Sequence, residues 1–272
     1  QRAGGDHYRA YVGPPKQYDF MGATQFRLVT ALGLREEHRY LDVGCGSLRA
    51  GRLLIPYLMP GRYYGIEPNT RLYKDAIAGE LGRGLIDIKQ PVFFDDASLD
   101  LRVTGETFDF IVAQSIFSHT GLDMLEGALS SARDVLAPSG QFLFTAITES
   151  APGFGERSPL GRDAKGWIYP ECVSFSEDEI TSICNRAGLQ AQRLAWFHPR
   201  QVWYRAVTNP DMLLNCQHAK IMDAGRVLFD DRFQTQAGPK NDTQPKRAYT
   251  FFNLRHLREH LAKNKTKRIR KE

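Results

Sequence analysis

No apolar run in the sequence approaches the roughly 18 residues that a membrane-crossing helix needs, so a membrane-embedded bundle is not expected. Cysteine is scarce. The four present, Cys45, Cys172, Cys184 and Cys216, form no Cys-x-x-Cys pair, and no histidine cluster stands at metal-ligand spacing. Neither a disulfide framework nor a metal site is therefore expected, and a reducing, cytoplasmic setting suits the chain. Internal repeats and low-complexity stretches are also missing. What is there is an ordinary globular mixture, 42% hydrophobic and 25% charged over 272 residues. That length accommodates one large domain, or one domain with an appendage, at roughly 100 to 200 residues per domain.

The net charge of +5 is unevenly placed. Between Leu254 and Glu272 eight Lys or Arg face two acids, Glu259 and Glu272, and the other 253 residues are close to neutral. The basicity thus belongs to a tail, and the body carries no strong electrostatic signature of a nucleic-acid grip.

Composition separates three regions. Residues 1–15 are rich in Gly, Arg and Pro and read as an extended arm. Residues 18–32 carry Phe20, Ala23, Phe26, Leu28, Ala31 and Leu32 at helical spacing and end at Gly33, a suitable C-cap. From residue 39 short apolar runs alternate with helical segments, the pattern of a parallel sheet covered on both faces. The strands expected are 40–43, 63–67, 92–94, 108–113, 141–147, 189–196 and 202–207. The helices expected between them are 49–58, 70–81, 122–136 and 176–187, the last opened by a Ser176/Glu179 capping box and closed by Gly188. Only His198-Pro199-Arg200 and a few neighbours separate the last two strands, too short for a helical crossover, so they should pair antiparallel at the sheet edge. The expected fold is α/β: a doubly wound, mostly parallel seven-stranded sheet with an antiparallel edge strand, helices on both faces, an N-terminal helical lid and a C-terminal basic extension. The corresponding domain boundaries are 1–34, 35–207 and 208–272. Beyond Asn209-Pro210 one further helix within 211–229, a polar loop over 234–246 and a short basic helix over 251–263 are expected.

The residues with chemical meaning begin where the first strand ends, in Asp42-Val43-Gly44-Cys45-Gly46-Ser47-Leu48-Arg49. Glycines at 44 and 46 let the backbone turn sharply and approach a ligand where a Cβ would collide, and the following helix would aim its N-terminal amides at that ligand. The second strand ends in Gly65-Ile66-Glu67, which puts a carboxylate 21 residues beyond Gly46, where a ribose-binding acid stands in a nucleotide-binding sheet. A dinucleotide would want the Gly-x-Gly-x-x-Gly cradle. Arg49 occupies its third position here, so that fingerprint is absent.

These elements together resemble the Rossmann-like (class I) S-adenosylmethionine-dependent methyltransferases. The resemblance rests on Asp42-Val43-Gly44-Cys45-Gly46, on Glu67, on Phe108-Asp109-Phe110-Ile111-Val112-Ala113-Gln114-Ser115, and on Leu136-Ala137-Pro138-Ser139-Gly140-Gln141 before the fifth strand. It covers about residues 39–207, and it departs from the fuller Gly-x-Gly-x-Gly pattern at Leu48. It implies S-adenosyl-L-methionine as cofactor. Asp42, Gly44, Cys45 and Gly46 would surround its methionine part, Glu67 its ribose, and Asp96, or else Asp95, its adenine. Gln114 and Ser115 would lie near the sulfonium, with His119 on the same wall. Methyl transfer is an in-line displacement that needs alignment and, for a hydroxyl acceptor, a base.

In a doubly wound sheet the acceptor lies beyond the carboxyl ends of the parallel strands. The connection 148–175 after the fifth strand is long and carries Phe154, Arg157, Arg162, Lys165, Trp167 and Tyr169, the make-up of a substrate lid. His198, in the turn after the sixth strand, is the general-base candidate, and Tyr11, Tyr18 and Gln25 could close over the cofactor. The expected activity is O-methylation of a small molecule or glycan. The alternative is an RNA or protein methyltransferase docking through the basic tail, although Gln114-Ser115-Ile116-Phe117 stands where amide- and base-methylating enzymes carry an Asn-Pro-Pro-Tyr motif. A third reading is a cofactor-binding protein without transferase activity.

Overall fold

The computed structural model describes residues 4–226 apart from 153, 155–158 and 161–163. The expected basic helix over 251–263, the polar loop before it and the charged tail lie outside the described residues. Seven strands form one sheet: β1 Tyr40–Val43, β2 Tyr63–Ile66, β3 Val92–Phe94, β4 Phe108–Ala113, β5 Leu136–Ala146, β6 Gln190–Leu194 and β7 Val202–Val207. Their order across the sheet is β3-β2-β1-β4-β5-β7-β6. All neighbours from β3 to β5 pair parallel, while β7 runs antiparallel to both β5 and β6. The antiparallel pair therefore closes one end of the sheet, with β7 inside and β6 outermost.

The helices are α1 Tyr8–Tyr11, α2 Tyr18–Ala31, α3 Gly51–Tyr57, α4 Thr70–Ala76, α5 Arg83–Lys89, α6 Leu122–Val135, α7 Glu177–Arg186 and α8 Cys216–Arg226. Strand alternation assigns them to faces. Leu41, Val43, Tyr64, Ile66, Ile111, Phe142 and Phe144 point to the face where α6 and α7 contribute Leu125, Leu129, Ile180 and Ile183. The side chains between them, Tyr40, Asp42 and Tyr63, point to the opposite face, where α2 meets them: Gln25 donates to the Tyr40 hydroxyl at 3.0 Å.

Local differences from the sequence reading have local causes. The arm is not extended throughout, because His7 caps the single turn of α1 by accepting from the Arg9 amide. Helix α4 runs into a π-helical turn, Ile77–Leu81, before Gly82 ends it. The α5 helix was not expected: it buries none of its residues and leaves Ile88 67% exposed, so it has no apolar stripe to announce it. β5 starts at Leu136 rather than 141, since Leu136 pairs with Phe108 and the register then jumps to Phe110 with Gln141. The Ala137–Gly140 stretch, expected to precede the strand, is the loop-out of that jump. The capping box at Ser176 and Glu179 forms as expected. Among the described residues no helix is long and apolar enough to cross a membrane.

The N-terminal segment is tied to the sheet's carboxyl end. Tyr18, almost fully buried, donates to the Ser47 carbonyl at 2.6 Å, and Trp196 donates to the Thr24 carbonyl at 3.2 Å. Arg9 pairs with Glu80 at 2.8 Å, and Arg49 reaches the Val12 carbonyl at 3.0 Å. The Gly22 position is the tightest of these joints, for a Cβ there would fall well inside contact distance of the Arg49 carbonyl oxygen. Gly22→Ala must lift α2 from the loop after β1. We expect a loss of about 1–3 kcal/mol in urea unfolding, the usual scale of overpacking; an unchanged midpoint contradicts this packing.

Candidate active site

Three strand ends converge on the loop after β1. The amides of Gly44 and Cys45 both donate to the Ile66 carbonyl, at 2.8 and 3.1 Å. That ties the loop to the end of β2, and it requires left-handed backbone at Gly44 (φ 68°) and Gly46 (φ 52°). The close neighbours above the glycines are side chains of the protein. Ile116 lies over Gly44, and a Cβ at Gly46 would come within 2.8 Å of Val12 Cγ1. Leu48, where the longer motif has glycine, also adopts a left-handed backbone (φ 55°) and is fully buried. The turn is thus kept without the third glycine, held by core burial of the leucine.

Residues 47–50 form turns and α3 begins only at Gly51, running for seven residues. The helix-terminus amides expected from the sequence are therefore not the loop's donors. The Gly46 amide donates at 3.0 Å to Glu67 Oε2, and the Asn69 amide donates at 2.8 Å to Glu67 Oε1. Glu67 is 9% exposed; burial raises its pKa, opposed by these two amides. Each oxygen keeps further accepting capacity.

Asp42, expected beside the cofactor, is turned beneath the loop instead. It is 5% exposed and accepts from the Tyr63 hydroxyl at 2.8 Å, and burial pushes its pKa up to about 6. Cys45 is buried against β2, its sulfur 2.9 Å from where a Cβ would stand on Gly65. Both residues brace the loop from the protein side. Tyr18 and Gln25 do the same through Ser47 and Tyr40, whereas Tyr11 lies farther out, stacked on Tyr169 at 6.3 Å. Asp96 folds onto Ser98, accepting from its amide at 2.9 Å and its hydroxyl at 2.7 Å, and the charge of Asp95 is felt at Glu67.

At the end of β4, Gln114 is 8% exposed, and both polar atoms of its amide are buried with no hydrogen-bond partner among the described residues. The Ser47 hydroxyl is in the same condition. Such groups cost about 1–3 kcal/mol each when left unpaired, so their persistence at the rim of a strand-end crevice points to a polar ligand. Ser115 follows in a left-handed backbone (φ 64°), its amide held by Thr145 Oγ1 at 2.8 Å.

The two candidate bases have opposite hydrogen-bond settings. His198 Nδ1 accepts from the amides of Gln201 at 2.9 Å and Arg200 at 3.2 Å. The neutral ring must then carry its hydrogen on Nε2, which donates to Ser115 Oγ at 3.2 Å. Burial, with Arg49 and Arg200 adding to it, lowers the pKa to about 3. This ring is a donor with its accepting nitrogen filled, which does not suit the base role expected of it. His119 differs: its Nδ1 meets the Glu171 carbonyl at 2.7 Å, so a hydrogen sits on Nδ1. The sequence could not reveal this, since each tautomer is set by backbone groups brought in by folding.

A histidine with a depressed folded pKa takes its proton mainly in the unfolded chain. His198 therefore makes stability fall as pH drops from 6.5 toward about 3. Asp42 acts with the opposite sign, its contribution complete below about 3.8 and lost as pH rises through about 6. His198→Gln, which can still donate to Ser115, should flatten the acid-side loss by up to about 1.4 kcal/mol per pH unit in denaturant titrations between pH 4 and 6. A wild-type slope in the variant contradicts the neutral, buried assignment.

Residues 41–142 match the sequence model of a methyltransferase domain family. No curated protein matches the chain by sequence. Among solved structures, similarity extends to the magnesium protoporphyrin IX methyltransferase of Synechocystis PCC 6803, solved with bound SAH. It is 14% identical, with a TM-score of 0.52 over 72% of this chain and 84% of that one. The CcbJ methyltransferase of Streptomyces caelestis is 18% identical, with a TM-score of 0.52 over 72% and 97% of the two chains. An S-adenosylmethionine-dependent methyltransferase of Clostridium acetobutylicum is 13% identical, with a TM-score of 0.52 over 70% and 92%. The strand order and these structures agree on a Rossmann-like fold, and within it residues 41–142 form a methyltransferase-family domain.

Proposed function

We propose that the protein moves the methyl group of S-adenosyl-L-methionine to a hydroxyl of a small-molecule or glycan acceptor. In this reading residues 35–207 form the catalytic domain, residues 1–34 a cover over its cofactor side, and residues 208–272 an extension. The observation that carries the cofactor assignment is the buried, unpaired amide of Gln114, beside Ser115 at the carboxyl end of β4. A cofactor with a zwitterionic methionine end and a sugar supplies both donors and acceptors for that amide. Glu67 would accept from the ribose hydroxyls while keeping its bonds to Gly46 and Asn69. Gly44 and Gly46 would border the methionine part. An acid at 95 or 96 would meet the adenine amino group; Asp96 keeps one oxygen for it after binding Ser98.

The bound sulfonium supplies an activated methyl. This chain's residues align the acceptor, exclude water and take up its proton. His198 acts on Ser115, and through that bond leaves the serine its own hydrogen for a ligand acceptor. The four cysteines, three of them buried, form no disulfide among the described residues, which fits a reducing, cytoplasmic setting. Docking of RNA or protein would fall to the basic tail, and removing residues 254–272 distinguishes the readings: unchanged turnover on a small acceptor supports the small-molecule one.

Calorimetry on the full chain tests the cofactor site. Glu67→Ala should weaken S-adenosylmethionine binding by about 1–3 kcal/mol, the scale of a lost buried polar partner, and Gln114→Ala by a similar amount. Wild-type affinity in both variants would remove the assignment.

A further inference from the structure

β3 is the outermost strand on the parallel side of the sheet, and it buries none of its residues. Its backbone is half used. The Glu67 amide donates to the Phe94 carbonyl at 3.0 Å, so Phe94 and, two residues earlier, Val92 turn their amides and carbonyls toward β2. By alternation the Phe93 amide and carbonyl point outward, as do the Asp95 amide and the Pro91 carbonyl. None of these four groups has a hydrogen-bond partner among the described residues. The side chains divide between the two faces of the sheet. Phe93 is held on one, stacked on Tyr73 with centroids 4.5 Å apart and lying against Gly65. Val92 and Phe94 stand on the other, where Phe94 packs on the core and Val92 is 37% exposed. An apolar side chain and open donors on a sheet edge are the features by which strands pair between molecules.

We propose that β3 pairs with β3 of a second copy of this chain, antiparallel and centred on Phe93, so that two sheets join into one. A contact of an edge with the same edge of another copy is made by a two-fold axis, which sets the two strands antiparallel. Each open group then meets its complement. Phe93 and the partner's Phe93 exchange both amide-to-carbonyl bonds, and the Asp95 amide reaches the partner's Pro91 carbonyl. The proline lacks only the donor that would have answered the Asp95 carbonyl, so one bond is forgone at each end. Val92 comes opposite the partner's Phe94 in the closer, non-bonded type of pair, with Cα atoms about 4.5 Å apart, and symmetry repeats the apolar contact. Charge selects the same direction. Lys89 and Gln90 fall alongside the partner's Asp95 and Asp96, whereas parallel strands would set aspartate beside aspartate. A strand of three residues makes a contact smaller than the roughly 1,200 Å² of a stable interface, so the dimer forms in a concentration-dependent way. None of this depends on the cofactor or the acceptor.

Sedimentation equilibrium of the full chain tests the proposal. Between about 1 and about 100 μM, the range suited to so small an interface, the average mass should rise from the 30.8 kDa of one chain toward twice that value. Val92→Lys places on the exposed position the residue that keeps natural edges apart, and it should weaken association at least about tenfold. Phe154→Lys, at an equally accessible apolar side chain in the connection after β5, should leave association unchanged. Hydrogen exchange reads the register. The Phe93 and Asp95 amides should exchange at least about threefold more slowly at the high concentration than at the low one, while the Val92 and Phe94 amides, already turned to β2, keep their rates. A mass that stays at one chain throughout overturns the proposal. So does a dimer that survives Val92→Lys or leaves the Phe93 amide unprotected, because either puts the contact elsewhere. Mass and exchange are both read on the unaltered protein, so they decide the matter even where a variant folds poorly.

Discussion

The hydrogen bond from the Gly46 amide to Glu67, together with the paired Gly44 and Cys45 amides on Ile66, joins the loop after β1 to the end of β2. Everything proposed about the site depends on that joint. It fixes a left-handed turn against the sheet and sets a carboxylate at the height where a nucleoside sugar would lie. The protein supports it from behind with buried polar groups: Tyr63 on Asp42, Gln25 on Tyr40 and Tyr18 on Ser47. These contacts satisfy one another within the core. Among the buried groups left unpaired, the Gln114 amide and the Ser47 hydroxyl lie beyond the carboxyl ends of β4 and β1, where a ligand could satisfy them.

The two histidines show how one residue type takes two roles through backbone context. Two amides fill one nitrogen of His198 and make it a donor, and burial beside Arg49 and Arg200 keeps it neutral. One carbonyl sets a hydrogen on Nδ1 of His119. The first stiffens a strained serine, and the second anchors the Glu171 carbonyl. The arm and the post-β5 segment meet through Tyr11 and Tyr169.

Much of the fold was legible in the residues because the central strands are short apolar runs, bounded by turns, that alternate with helices. The antiparallel pairing of β6 and β7 at the sheet edge followed from a linker too short for a crossover. Elements that bury nothing, such as α5, or that hang on one cap, such as α1, gave no periodic signal. At the site, Glu67 was legible through its spacing and Gly44 and Gly46 through their backbone freedom. Asp42 was legible as a residue but not in its direction: strand alternation turns its carboxylate toward Tyr63. The roles of the histidines were illegible, because a tautomer is set by amides and carbonyls that reach the ring only in the folded chain.

The central claim is that the crevice between the Gly44–Gly46 turn and Gln114 receives the cofactor. A crystal structure of the full chain with S-adenosylhomocysteine tests it most directly. The account predicts the ribose hydroxyls within hydrogen-bond distance of Glu67 and the Gln114 amide bonded to the ligand. A ligand seated elsewhere, with Gln114 still unpaired, contradicts it.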